Sequence, residues 1–508
     1  DSIKAIRVIS KLRETGYELS VIELMQGRTI EAISEKVRVS ADHAYEQNQV
    51  VGEVKLTPIQ QAFFRWKLAK PNYFNQSIII ESEAGFEYHA VKATMEAIVL
   101  HHDILRAVFK NSTQVILSFE TSSLFELHEF HLEDVQSENE LEEIVENKCG
   151  ALQSSIDLEN GPLMKVALFK TRNADHLMIC VHHLVVDGVS WRIIVEDFIT
   201  GYKQYMQGDM IKLPAKTASY QSWAEALSEY GSSNEIKSEM SYWAKVAKAI
   251  NSSNLRIKTV LSNSVGYKQT KFSLSQDMTA QLVHEINKAY NTEIPDILLT
   301  ALGRSVKAWT GQPQLAVMLE GHGRESINKQ IQIDRTVGWF TSMYPIIINT
   351  GDSLEDDIIT TKEMLRKIPN HGIGYGIIHY NDQFEEQEVA VNIAFNYLGH
   401  LDNELKEIDK VKLSNLSSGL DSSELNRFCQ SLIVTGSVVN GQLIIDMLYD
   451  QSLYDHAGIV NFGQFFQVSI EEIINHCNAQ NKRVRTASDV GGADMGDDEI
   501  QALNDLLA

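Results

Sequence analysis

Short apolar runs alternate with helical stripes along most of the chain. Leu177-Met178-Ile179-Cys180-Val181 is an unbroken apolar run of strand length. Beyond it, Ile194, Phe198, Tyr202 and Tyr205 recur at the spacing of one helix face. Residues 164–170 and 176–181 predict a hairpin across 171–175. Upstream, residues 56–64 open a helix behind Pro58, residues 77–81 predict a strand and residues 91–100 a helix. Downstream, residues 266–273 read as a strand, 278–290 as one helix, and 291–302 as the start of another. Residues 315–319 and 346–348 predict strands, and a strand begun at Val389 ends in Phe395-Asn396-Tyr397-Leu398-Gly399. This mixed traffic points to α/β or α+β with mixed sheets rather than a repeat array.

The first 54 residues have another texture. Ala5, Val8, Ile9 and Leu12 form an i, i+3, i+4, i+7 stripe behind Asp1-Ser2, which predicts a helix with Ser2 at its N-terminus. Short helices are expected at 20–25 and 30–37, then a polar linker. A phosphate on Ser2 would be favoured there, because free backbone N–H groups and the helix dipole both attract anions.

Composition narrows the function. At 508 residues the chain suggests two to four folding units. A formal charge of −23 argues against nucleic acid or an anionic membrane as partner. No apolar stretch reaches the ~18 residues that span a bilayer. Cys149, Cys180, Cys429 and Cys477 lie far apart, without metal-ligand spacing; Cys180 and Cys429, among apolar residues, are expected to be buried thiols in a reducing cytoplasm. Neither a metal cluster nor a pyridoxal lysine motif is visible.

Chemistry concentrates at strand ends. His182-His183-Leu184-Val185-Val186-Asp187-Gly188 follows the run at 177–181, and Glu320-Gly321-His322-Gly323-Arg324-Glu325 follows the run at 315–319. Alternation lets one histidine face a cleft while the other is held in the structure. Residues 335–345, 369–376 and 395–399 are glycine-spaced, aromatic and polar; 369–376 reads as a loop. A second histidine pair, His101-His102, runs straight into Leu105, Val108 and Phe109 and reads as structural.

The double-histidine stretch resembles the His-His-x-x-x-Asp-Gly signature of the condensation superfamily of nonribosomal peptide synthesis. Residues 187–191, 320–325, 335–345, 369–376 and 395–399, in that order, resemble the motifs of its epimerization domains. Asp1-Ser2-Ile3-Lys4-Ala5 resembles the attachment motif of peptidyl carrier domains. The resemblance implies two chloramphenicol-acetyltransferase-like lobes in a V with the site between them, plus a helical carrier portion. A full carrier has a helix and a long loop ahead of its serine, so residues 1–46 are expected to be its C-terminal part. A linker (47–55), an N-lobe (56–230) and a C-lobe (231–485) follow. Residues 486–508 are acidic, without Lys or Arg, and resemble a communication helix for a downstream synthetase.

The implied activity is epimerization of an L-aminoacyl thioester on 4'-phosphopantetheine attached to Ser2, without pyridoxal phosphate or metal, with the carrier in cis as partner. The order of parts resembles initiation synthetases of the gramicidin and tyrocidine type, which implies phenylalanine. A thioester α-proton needs a base on one face, an acid on the other, and help for the enolate oxygen. His183 and Glu320 are the expected pair, and Tyr397 a donor to the enolate or in reprotonation. His182 is assigned to structure. Asp187 is expected to orient the loop through an arginine such as Arg335, and Arg324 to position the carboxylate or meet the phosphate of the arm. Asn396 is a further supporting residue. Two rivals remain: a condensation domain that forms an amide bond, and a silent module that only docks a carrier.

Overall fold

The run at 177–181 becomes the inside of a sheet. In the computed structural model, β1 (Asn75–Ser82), β2 (Glu126–His131), β3 (Met164–Lys170) and β4 (Asp175–His182) join a short later strand, Val411–Leu413. The order is 411–413, β1, β4, β3, β2. Only β2 and β3 run parallel. All eight residues of β4 are buried, so its centre, 177–181, reads as continuous apolar rather than alternating. The structure describes all residues except 1–4, 6–7, 10, 13–14, 20–22, 25–26, 28, 40–44, 121–122, 257–265, 328–330, 381–390, 401–410, 481 and 490–508.

Helices, among them Glu138–Ser154, complete this part. In α1 (Pro58–Arg65), Thr57 and Gln60 form a capping box and proline sits in the first turn. Then come α2 (Tyr88–His101), α3 (Gly188–Met206) and α4 (Tyr220–Tyr230). Ile194 and Phe198 of α3 are buried as their spacing predicts, whereas Tyr205 is exposed.

The chain forms two compact units that are not contiguous in sequence. One holds Asp1–Ser233, His322–Ser342 and Glu404–Asn426; the other holds Asn234–Gly321, Met343–Asn403 and Arg427–Ala508. The linear boundary expected near residue 230 is therefore crossed by two later excursions. Their role is physical: 411–413 completes the sheet edge, and 322–342 delivers the groups described below.

The second unit has a six-stranded sheet of β5 (Tyr267–Ser273), β6 (Gln314–Gly321), β7 (Ser342–Asn349), β8 (Ile393–His400), β9 (Leu432–Val439) and β10 (Gln442–Asp450). The order is β5, β10, β9, β8, β6, β7. Pro345 lies in β7, an edge strand, where a missing N–H is tolerated. In β9, buried and half-buried residues alternate strictly. The helices of this unit include α5 (Asn234–Ser253), α6 (Ile294–Thr310), α7 (Leu354–Arg366), α8 (Ile373–His379) and α9 (His456–Ala479). Val391 and Ala394 form a core with Ile250, Ala316 and Met318.

Three expectations change. The helix expected over 278–290 is two helices, Gln276–His284 and Asn287–Tyr290, because the N–H groups of Glu285 and Ile286 both reach the Gln281 carbonyl. Residues 369–376 are a tight turn leading into α8 rather than a loop. Cys429 is exposed, whereas Cys149, Cys180 and Cys477 are buried thiols. Of the N-terminal stripe, Ala5 and Ile9 are buried and Val8 is exposed.

The acidic segment beginning at 486 is in part structural. Asp489 pairs with the buried Lys362 at 2.6 Å, and Lys362 also donates to Thr486 and the Tyr290 carbonyl. Asp489→Ala, which leaves a buried ammonium without its counter-ion, is expected to cost about 3 kcal/mol. Urea midpoints check this; a loss within the ±0.5 kcal/mol of an ordinary surface substitution would refute it.

Asp421, on the excursion after 404, accepts from Ser77 of β1, and burial pushes its carboxyl up to about 6. A raised acid binds more protons folded than unfolded. Its contribution is therefore complete below the unfolded value of about 4 and is lost as the pH rises through about 6. Asp421→Asn is expected to be near neutral at pH 4 and to stabilise by about 2–3 kcal/mol at pH 7. Equal effects at both values would contradict the burial.

Candidate active site

β4 ends at His182, a single tight turn spans His183–Val185, and Asp187 caps α3 by accepting from the Ser190 N–H at 2.8 Å. This switch from strand to helix aims the two histidines differently. His182 is fully buried: its Nε2 donates to the Pro71 carbonyl at 2.8 Å and its Nδ1 accepts from the Leu184 N–H. Burial drives its pKa to about 3, so the ring is neutral. The His183 ring stacks on Phe74 at 5.2 Å and packs against Trp339 at 4.4 Å. Its Nδ1 donates to the Val186 carbonyl at 2.9 Å, and its Nε2 lies 3.0 Å from Gln76 Nε2. Burial lowers its pKa; hydrogen bonds and the charge of Asp187 oppose the shift.

Asp187 is the hub beneath this turn. Besides the Ser190 N–H it accepts from the Ser190 hydroxyl at 2.7 Å and the Phe340 N–H at 3.1 Å. Its arginine is Arg324, at 3.1 Å, and not Arg335. Arg335 is spent on α3, pairing with Asp197 at 2.5 Å and Glu196 at 3.4 Å. The expectation that Arg324 steers Glu320 or meets a phosphate is also corrected. Its guanidinium is buried, donates to Asp187, Ser190 and the carbonyls of Ile333 and Thr336, and lies 3.8 Å over the Phe340 ring. Gly323 enforces the approach: at φ 65°, a Cβ there would fall 1.7 Å from the Phe340 carbonyl oxygen.

In the second unit, Glu320 stands at the accessible end of β6. β6 and β8 run parallel with Met318 opposite Ala394 and Leu319 opposite Phe395. The next step brings Asn396 to Glu320, where its amide donates to Oε2 at 2.9 Å. Although the residue is exposed at its surface, the protein packed around the carboxyl raises its pKa. Tyr397, one residue on, starts on the other face of β8. Its ring meets Gly436 of β9, its hydroxyl has no hydrogen-bond partner among the described residues, and burial pushes it up to about 12. The glycine-spaced motif at 369–376 packs on α5: Asn370 donates to Glu239 at 2.8 Å, and Trp243 donates to the same carboxylate.

Within single units, the structure thus assembles His183 with His182, Asp187 and Arg324, and Glu320 with Asn396. Ser2 and residues 490–508 lie outside the described residues. Sequence reading missed three neighbours of His183: Phe74, Gln76 and Trp339. Trp339 sat in a noted motif; its indole N–H is buried without a partner among the described residues. Spacing also gave no sign that His101, His102 and Asp197 converge, with ligand atoms within 4.8 Å. There Asp197 already accepts from His102 and pairs with Arg335, a positive charge that opposes a cation.

The Condensation domain family model matches residues 50–495. The chain therefore belongs to the condensation-domain family. It is 37% identical to surfactin synthase subunit 1 of Bacillus subtilis (strain 168) over 100% of this chain and 14% of that protein. It is 34% identical to tyrocidine synthase 1 of Brevibacillus parabrevis over 100% of this chain and 48% of that protein. The chain thus spans less than half of each of these relatives. Among solved structures it is similar to the epimerization domain from the third module of tyrocidine synthetase B, with 35% identity, TM-score 0.79, and coverage of 85% of this chain and 100% of that one. The starter condensation domain of rhizomide synthetase shares the fold, with 15% identity, TM-score 0.60, and coverage of 83% and 96%. No helix among the described residues is long and apolar enough to cross a membrane.

Proposed function

We propose that the chain is an epimerization domain of a nonribosomal peptide synthetase, acting on an L-aminoacyl thioester held on the phosphopantetheine arm of a carrier domain. The observation that carries the reading is the Glu320–Asn396 pair: a strand-end carboxyl of raised proton affinity, in a chain that already has a neutral imidazole at His183. Removing an α-proton and returning one to the opposite face takes two such groups. One breaks the Cα–H bond and keeps the proton, the electron pair passes into the thioester enolate, and the other donates a proton to Cα. Each of His183 and Glu320 serves as acid or base according to direction. Tyr397, protonated at neutral pH, is the candidate donor to the enolate oxygen or in reprotonation. Ser2 would carry the arm, residues 490–508 would dock a downstream synthetase, and the protein would work in the cytoplasm.

The second reading is amide-bond formation, favoured by the family model itself. One experiment separates them. L-aminoacyl phosphopantetheine is loaded on an intact carrier and presented to the full chain in D2O. Epimerization gives α-deuterium and a near-equal D/L mixture; retained L configuration without exchange overturns the proposal and leaves condensation or silent docking.

A further inference from the structure

Gln76 stands on β1 opposite Val181, beside the end of the strand that delivers the histidines. Its side-chain amide has two partners. The Trp191 indole N–H donates to Oε1 at 2.8 Å, and Nε2 lies 3.0 Å from His183 Nε2. An indole N–H can only donate, so it fixes the amide with its oxygen toward α3. The NH2 must then face the imidazole and donate, which requires a lone pair on His183 Nε2. At the other side of the ring, a carbonyl can only accept, so Nδ1 must carry the hydrogen it gives to Val186. Two partners of fixed role thus demand one tautomer independently.

We propose that Gln76 is a positioning residue, relaying the donor-only indole of Trp191 to His183 so that the ring is held as the Nδ1–H tautomer with its Nε2 lone pair toward Gln76. This deepens the epimerization reading and rests on it for its catalytic meaning. The lone pair that Gln76 caps is the one that would take the α-proton. Once Nε2 carries that proton, ring N–H faces amide NH2. Turning the amide over only moves the conflict to Trp191. The relay therefore opposes a lasting imidazolium and favours passing the proton on. The other groups that act on the ring do not reproduce this. Phe74 and Trp339 pack against it without charge. His182 is neutral. Asp187 favours the charged ring, but its carboxylate is shared with Arg324.

The test uses the full chain labelled with 15N-histidine, with the His183→Ala spectrum identifying the resonance. The parent is expected to show an unprotonated Nε2 and a protonated Nδ1 at neutral pH. Gln76→Glu offers acceptors to both Trp191 and Nε2–H, and is expected to raise the proton affinity of His183 about tenfold or more. Trp191→Phe frees the amide to turn, and is expected to raise it about five- to tenfold. In both variants the acid limb of α-proton exchange should move to higher pH by the same factor. An Nε2–H tautomer in the parent, or a Gln76→Glu protein in which His183 titrates as in the parent, overturns the relay whatever the exchange assay shows. Absent exchange in a parent with the expected tautomer overturns the function and leaves the relay standing.

Discussion

Glu320→Gln is expected to slow α-deuterium incorporation by about 10²–10⁴-fold, and His183→Ala by a similar factor, with the fold intact in each. Glutamine retains an oxygen for the Asn396 amide and loses the exchangeable acid, so the change isolates proton transfer from packing. The case for so large an effect comes from the two pKa directions. A glutamate and a histidine at their ordinary values, about 4.3 and 6.5, would both be bases at neutral pH, leaving no acid for the second face. Here the glutamate is raised by the protein around it and the histidine lowered by burial. The raised affinity favours the acid form of the glutamate, and the lowered affinity favours the base form of the histidine. Incorporation within threefold of the parent in either variant removes that residue from the mechanism.

Arg324→Met is expected to destabilise the protein by about 3–5 kcal/mol, measured by denaturant unfolding. The loss comes from Asp187, which keeps its N–H and hydroxyl donors but is left as a buried charge without a counter-ion. Arg324→Lys should rescue little, because one ammonium cannot reach Asp187, Ser190 and the two carbonyls that the planar guanidinium bridges. Adding Asp187→Asn to Arg324→Met should recover part of the loss, and the coupling in that cycle measures the pair. Additive effects would show the two residues to be independent.

How much of this was legible beforehand depends on the range of the interaction. β4 and α3 were readable because the centre of a fully buried strand is an unbroken apolar run and a packed helix repeats every three or four residues. The Glu320–Asn396 pair was half legible: both residues ended apolar runs, but only the parallel register of β6 and β8 sets them side by side. The arginines could not be told apart, since Arg324 and Arg335 both follow β6 and nothing local says which reaches Asp187. Gln76 left no trace. One amide at the start of an ordinary strand acquires meaning only when Trp191 and His183 are folded around it. The tight turn at 369–376 was misread because Asn370 and His371 adopt left-handed conformations that glycine-rich spacing also signals in open loops.

The interrupted order of the first unit bears on the nascent chain. When Asp187 leaves the ribosome its partner Arg324 has not been made, and neither have Trp339, which walls His183, nor the strand at 411–413 that closes the sheet. At about 5–20 residues per second that delay is roughly 8–30 seconds before Trp339 alone appears. During it, a buried-to-be carboxylate and an open strand edge face solvent. Slow stretches of translation or chaperone capture in this window would therefore act on the yield of the first unit, and fragments ending near residue 233 should aggregate rather than fold.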